Sequence, residues 1–343
     1  ASKLDIPALQ KIIPNAMGHA FANAGYETFY GGKSHLPGGR NDVSTYGFET
    51  FISKDERVDL AKESAALLLE RNSDKPFLMA LNFINPHDIC YEAIRHFPPN
   101  NRPPAEVPIP LLEAIAIPDS ISEKDFMAKY VPPLPANFEP TSPEPSAIYD
   151  LKALHSFTIE ARENWTEKDW RMHRYAYHRL TERVDVQIGM VLDALESSPF
   201  ANNTIVVFTS DHGEMSASHR LEHKTVFYEE SSNIPLVVWY KGMANSHSVA
   251  RTENLPGVSF AALLNGQKNK YSPREYLFME NELGFMIRGD NLKYTLYDNG
   301  DEMLIVLAKD PGEMINLAEV LVYLDRKEKL KRQLKAHIEK ASH

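Results

Sequence analysis

Two apolar runs that bracket a short polar loop constrain this chain more than any other feature. Thr204-Ile-Val-Val-Phe-Thr209 shows no polar alternation, and Ile234-Pro-Leu-Val-Val-Trp-Tyr240 has the same character. Such runs read as strands covered on both faces by helices, so an open α/β sheet is expected. The first run breaks at Ser210-Asp211-His212-Gly213, the C-terminal strand end where open α/β sheets place their ligands. A carboxylate oxygen beside an imidazole nitrogen suits a divalent cation, although two ligands cannot complete a site. The same four residues also fit a Ser-Asp N-cap on a following helix. Glu214, His219, His223 and Lys224 then crowd into the loop before the second run.

Charge limits the partners. The net charge of −10 leaves no basic field for nucleic acid or an anionic membrane, so an anionic substrate needs a local cationic cluster. The single cysteine, Cys90, excludes an intrachain disulfide and a Cys-only metal site. No apolar run approaches a membrane span, and the first residues carry no secretory signal. Ala1-Ser-Lys is unlike a natural start, which leaves room for a removed signal. A chain of 343 residues suffices for one large domain with an appendage or for two domains. Oligomeric state leaves no mark.

Residues 7 to 24 read as a helix that Pro14 interrupts or starts, stopped by Gly25, with a short strand from Tyr26 to Tyr30. Lys33 and His35 follow in a Gly-rich loop, two cationic donors on a flexible rim or a plain solvated loop. Val58 to Arg71 has helical spacing, with Leu60, Ser64, Leu67 and Leu68 on one face. Pro76 to Ile84 reads as another strand buried on both faces, ending in Asn85-Pro86-His87-Asp88, where Pro86 pins the backbone before His87. Thirteen of the 23 prolines lie between Pro98 and Pro145, which predicts a long, mostly irregular excursion. Glu167 to Ser198 is the strongest helix: Tyr177, Leu180, Val184, Ile188, Val191 and Leu195 form a core stripe without chemistry, behind a Thr166–Asp169 capping box. After Tyr240 come four β-like segments, with a turn at Asp298-Asn-Gly-Asp301, and an amphipathic helix ending near Ala341.

The ordered motifs resemble those of sulfatases, in the alkaline-phosphatase-like superfamily. They are A-G-Y-x-T-x-x-x-G-K-x-H-L over Ala24 to Leu36, the P-H-D at Pro86 to Asp88, and SDHGEM, SASHRLEHK, FYEESS and NIPLVVWY after Thr209; D-P-x-E-x-x-N-L-A from Asp310 closes the series. Ser216 and Ser218 depart from the family's glycines, implying a stiffer loop. The resemblance implies an α/β fold with a mixed, largely parallel central sheet flanked by helices and a small C-terminal antiparallel sheet plus helix. It implies a main domain over residues 1–250 and a small one over 251–343.

It also implies hydrolysis of a sulfate monoester on a sulfated small molecule or glycan. Lys33, His35, His87 and Lys224 would contact the sulfate, with His35, His87 and Lys224 as the catalytic side chains. Asp211 and His212 would hold a calcium ion. Paired Asp ligands and the C-x-P-x-R or S-x-P-x-R motif that yields formylglycine are not in this sequence, and Cys90 does not match. The implied reading is a fragment whose formylglycine lies outside this sequence, in a periplasmic, secreted or lysosome-like enzyme. The alternatives are a phosphodiester or phosphonate monoester hydrolase of the same superfamily, and an inactive relative that binds sulfated glycans.

Overall fold

Residues Thr28–Gly32 combine β-branched and aromatic side chains with two glycines, and they form the buried body of the first strand. The computed structural model describes residues 13–36, 42–95, 107–241, 274–289 and 291–341. Helix α1 (Met17–Asn23) precedes β1 (Glu27–Gly32), and β2 (Thr50–Phe51), α2 (Val58–Glu70) and β3 (Phe77–Asn82) follow. Next come α3 (Cys90–Arg95), α4 (Ile109–Ile115), α5 (Glu123–Lys129), α6 (Ser156–Asn164) and α7 (Glu167–Ser197). Then come β4 (Ile205–Thr209), β5 (Leu236–Tyr240), β6 (Leu277–Asn281), β7 (Gly284–Arg288), β8 (Leu292–Tyr297), β9 (Glu302–Val306) and α8 (Leu324–Ala341), with single helical turns at Leu151–Leu154 and Glu229–Ser232 besides.

The chain divides into two compact units. The first comprises Ala1–Asp88, His178–Val206 and Trp239–Lys268; the second comprises Ile89–Tyr177, Val207–Val238 and Asn269–His343.

In the first unit β1 lies between β2 and β3, all parallel, with Gly32 opposite Asn82. Parallel strands need a crossover, and α2 supplies it between β2 and β3. Its buried face is Leu60, Ala61, Ser64 and Leu68. Leu68 packs with Ala194 and Leu195 of α7 against Phe77, Met79 and Phe200. Arg71 closes the helix by pairing with Glu27 at 2.6 Å. Gly32 has φ +86°, and a Cβ there would sit 2.2 Å from the Asn82 carbonyl oxygen, so the strand end requires glycine.

In the second unit β6–β7–β8–β9 form an antiparallel meander. Leu330 and Leu334 of α8 pack on Ile287, Tyr294 and Leu304 of its strands. Met286, Tyr297, Met303 and Ile305 share a second core with Met215, Leu221, Phe227 and Tyr228. The segment after β4 is therefore packed on the C-terminal sheet.

The α/β class, with a parallel sheet, helices and a C-terminal antiparallel sheet plus helix, is as expected. The Thr166–Asp169 box is present: Thr166 N donates to Asp169 Oδ2 at 2.8 Å, and Asp169 N to Thr166 Oγ1 at 3.3 Å. Three expectations need correction. β4 and β5 are not covered on both faces: Val207 and Leu236 are each 57% exposed, because the two strands pair with each other as a two-stranded ribbon. β3 is half-buried rather than fully buried. The proline-rich stretch is less irregular than expected, since α4 and α5 lie within it. The start of the expected first helix (residues 7–12), residues 96–106 and the expected 250/251 boundary lie outside the described residues. No helix among the described residues is long and apolar enough to cross a membrane.

Candidate active site

Adjacent parallel strands deliver their C-terminal ends side by side. In the first unit β1 leads into Lys33 and His35, and the neighbouring β3 leads into His87. Lys33 is half-buried and its backbone N–H donates to the Asn82 carbonyl at 2.8 Å; His35 is exposed. His87 is half-buried and opens a single 3-10 turn, His87–Ile89. The next residue, Asp88, is fully buried and paired with Arg57 at 2.7 Å, which fixes the turn that carries His87.

β4 leads into Asp211 and His212, which belong to the second unit. Asp211 Oδ2 and His212 Nε2 lie 3.6 Å apart, with Asp211 mostly exposed. His212 Nδ1 is 2.8 Å from the Gly213 carbonyl, which turns Nε2 towards the carboxylate. The residues fit as two donors of a cation site, one oxygen and one nitrogen, short of the roughly six to eight oxygens calcium takes. The N-cap alternative is not what forms, because no helix starts there. Gly213 is required for close approach: a Cβ would fall 1.9 Å from the Glu230 carbonyl oxygen.

The loop that follows is held from inside. Glu214 Oε1 accepts from the backbone N–H of His223 at 2.6 Å and of Ser216 at 3.5 Å. Burial pushes this carboxyl up to about 7, against those two amides and the Lys224 ammonium. His219 is fully buried and stacked on Tyr228, ring centroids 3.9 Å apart. Burial, reinforced by the Lys293 and Arg162 cations, holds it down to about 4, so it is neutral. Six residues here, Ser216, Ala217, His219, Arg220, His223 and Thr225, have positive φ without being glycine. The stiffness expected at Ser216 and Ser218 is thus a wider strain, anchored by packing.

The segment after Lys224 is structural. Lys293, fully buried on β8, donates to the Phe227 carbonyl at 2.7 Å and pairs with Glu229 at 3.1 Å and with Glu313. Glu230 Oε1 accepts from Asn137 Nδ2 at 2.6 Å. Lys224 is half-buried, and its ammonium adds to the burial that lowers the half-buried His155; Glu282 opposes both. No sequence signal marks His155, which sits near Lys224 only through the fold. Nor did it foresee that His223 is 6% exposed, engaged with Glu222 and packed on Phe157 at 4.7 Å.

The family model for sulfatases matches residues 8–259, which contain every one of these strand ends and loops. The chain belongs to the sulfatase family. It is 28% identical to the Δ4,5-hexuronate-2-O-sulfatase of Bacteroides thetaiotaomicron, over 88% of this chain and 67% of that enzyme. Identity to arylsulfatase K of Gallus gallus is 27%, over 52% of this chain and 40% of the relative. The matched part therefore spans about two thirds and two fifths of these relatives. A solved 2-O GAG sulfatase shares 27% identity at a TM-score of 0.75, over 95% of this chain and 74% of the other. The phosphonate monoester hydrolase of Agrobacterium radiobacter shares the fold, at a TM-score of 0.60 and 18% identity.

Proposed function

We propose that the chain is the larger part of a sulfatase that hydrolyses a sulfate monoester on a uronate-containing, glycosaminoglycan-type sugar. The observation that carries this is the Asp211–His212 pair, a carboxylate and an imidazole 3.6 Å apart at a strand end within the family match. The relative named for Δ4,5-hexuronate 2-O-sulfate and the 2-O GAG sulfatase favour that substrate class. A phosphonate or phosphodiester substrate rests on fold alone, and a purely binding role gives no reason for Lys and His at each of these motif positions.

In this reading Asp211 and His212 hold two coordination positions of a calcium ion. When bound, the ion draws electron density from the sulfate oxygens. The nucleophile is a formylglycine encoded outside this sequence. Lys33, His35, His87 and Lys224 balance the charge that spreads over the sulfuryl oxygens, and His35, His87 or Lys224 hands a proton to the leaving alcohol. Turnover of an extracellular glycan fits a periplasmic, secreted or lysosome-like location.

The test is sulfate release by the full-length protein from a 2-O-sulfated unsaturated uronate disaccharide, with an aryl sulfate and a phosphonate monoester alongside. Sulfate release that falls about 10²-fold or more in Lys224→Ala, with folding unchanged, is expected. Turnover of the phosphonate alone overturns the reading, and binding of the sulfated sugar without turnover moves it to the binding role.

A further inference from the structure

The long helix α7 carries one side chain that its core role does not explain. His173 precedes Tyr177 by one turn on the apolar stripe and is completely buried. Neither of its ring nitrogens has a hydrogen-bond partner among the described residues. A buried imidazole without a partner is costly, about 1–3 kcal/mol for an ordinary polar group, so some occupant for those nitrogens is expected. Two carboxylates face it. Glu214 and Glu222 each bring one oxygen into a group with a His173 nitrogen in which all three atoms lie within 4.8 Å of one another. The three residues belong to the same compact unit.

Both carboxylates are held from behind. Glu214 is oriented by the His223 and Ser216 backbone amides. Glu222, itself fully buried, accepts from Thr158 Oγ1 at 2.7 Å and contacts His223 Nδ1. Metal-ligating carboxylates are characteristically fixed in this way by a second layer of donors. Two carboxylates with one imidazole make a mixed oxygen and nitrogen set, suited to zinc and its first-row neighbours and poor for calcium. The two carboxylates cancel the charge of a dication, so the three ligands and the ion are together neutral.

We propose that His173, Glu214 and Glu222 form a buried site for a zinc-class divalent cation, separate from the Asp211–His212 pair. Donors at about 2.0–2.2 Å from one ion stand roughly 3.5 Å apart, so closure of the group asks only for small side-chain rotations. The ion joins α7 to both ends of the Glu214–Glu222 segment, two residues before Lys224. Its role is to clamp a segment in which four non-glycine residues, Ser216, Ala217, His219 and Arg220, hold positive φ. The alternative occupants of the gap are a bridging water and a direct His173–carboxylate hydrogen bond, and both bind no zinc.

The test uses the full-length protein stripped with a chelator and then held in millimolar calcium, which fills any oxygen-rich calcium site. Zn²⁺ is titrated by calorimetry and Co²⁺ by visible absorption, each alone as the probe. One equivalent of Zn²⁺ should bind, compete with Co²⁺, and give a Co²⁺ spectrum of low coordination number. His173→Leu and Glu222→Gln should each weaken Zn²⁺ binding about 10²-fold or more, a ligand costing at least what a second-layer partner does. Asp211→Asn should bind Zn²⁺ as the parent does. Circular dichroism of the apo proteins checks folding. If His173→Leu fails to fold, Glu222→Gln and the parent Co²⁺ spectrum decide. No Zn²⁺ binding in calcium, equal binding by a folded variant, or loss in Asp211→Asn overturns the site. None of these readouts depends on sulfate release.

Discussion

Arg57 grips the buried carboxylate of Asp88 with the Nε–Nη2 edge of its guanidinium: Nη2 lies 2.7 Å from Oδ1 and Nε 3.2 Å from Oδ2. Asp88 is fully buried and directly follows His87, so this pair sets where the His87 imidazole can go. Removing one partner of a buried pair strands the other charge, which costs about 3–5 kcal/mol. Arg57→Ala should therefore lose roughly 3 kcal/mol by denaturant unfolding, and Asp88→Asn less, because the guanidinium it leaves unpaired is partly exposed to water. A loss below about 1 kcal/mol for Arg57→Ala would mean that water reaches the carboxylate.

His219 makes stability fall in mild acid. Burial, then Lys293 and Arg162, hold its folded value down to about 4, against 6.5 for the free side chain. A lowered histidine contributes stability that is present above pH 6.5 and is lost as pH falls towards 4. The loss amounts to about 3 kcal/mol at most over that window. His219→Phe keeps a ring on Tyr228 and should flatten the slope of unfolding free energy between pH 6.5 and 4. An unchanged slope would show that the ring titrates normally.

Glu302 acts in a lower window. Burial raises this carboxyl, but Lys327, Lys331 and the Tyr294 hydroxyl outweigh burial and hold it at about 2, below its usual 4.5. Lys327 and Lys331 each approach it at 2.8 Å. A depressed carboxyl contributes stability that is present above pH 4.5 and is lost as pH falls towards 2, again about 3 kcal/mol at most. Glu302→Gln should remove that dependence, read as thermal unfolding between pH 4.5 and 2. The prediction fails if both proteins lose stability in parallel.

Thr225 sits at φ +80°, a region that β-branched residues rarely adopt. Left-handed backbone costs about 1–2 kcal/mol, while glycine's extra unfolded-state freedom returns about 0.4–1 kcal/mol. Thr225→Gly should raise stability by up to about 1 kcal/mol, measured by denaturant unfolding. A destabilised variant would mean that the threonine side chain contributes packing that outweighs the strain.

Periodicity fixed much of this protein in advance. Val58–Glu70 and Glu167–Ser197 follow from 3.6-residue spacing, and the meander β6–β9 follows from short β-rich runs around turn residues. These patterns are local: each is written within one or two turns of chain, where side-chain direction alone decides which face is apolar. Lys33, His35, His87, Asp211 and His212 were legible for the same reason, as polar breaks at strand ends. The closing motif was legible as a pattern but not as a part: Asn316 Oδ1 accepts from the Leu304 N–H at 3.0 Å, which ties the segment after β9 back to that strand.

What the tertiary structure alone decided is what each side chain meets. Lys293 lies in an ordinary strand pattern, yet it is fully buried because Glu229 and Glu313, distant in sequence, supply the opposite charge. β4 and β5 read as doubly covered from composition, but coverage depends on neighbours, and among the described residues each has only the other as a sheet partner. His173 belongs to the apolar stripe by spacing; only the fold sets it opposite Glu214 and Glu222. Spacing determines direction along an element, whereas burial and charge pairing depend on what packs against it, and that information is spread over the whole chain.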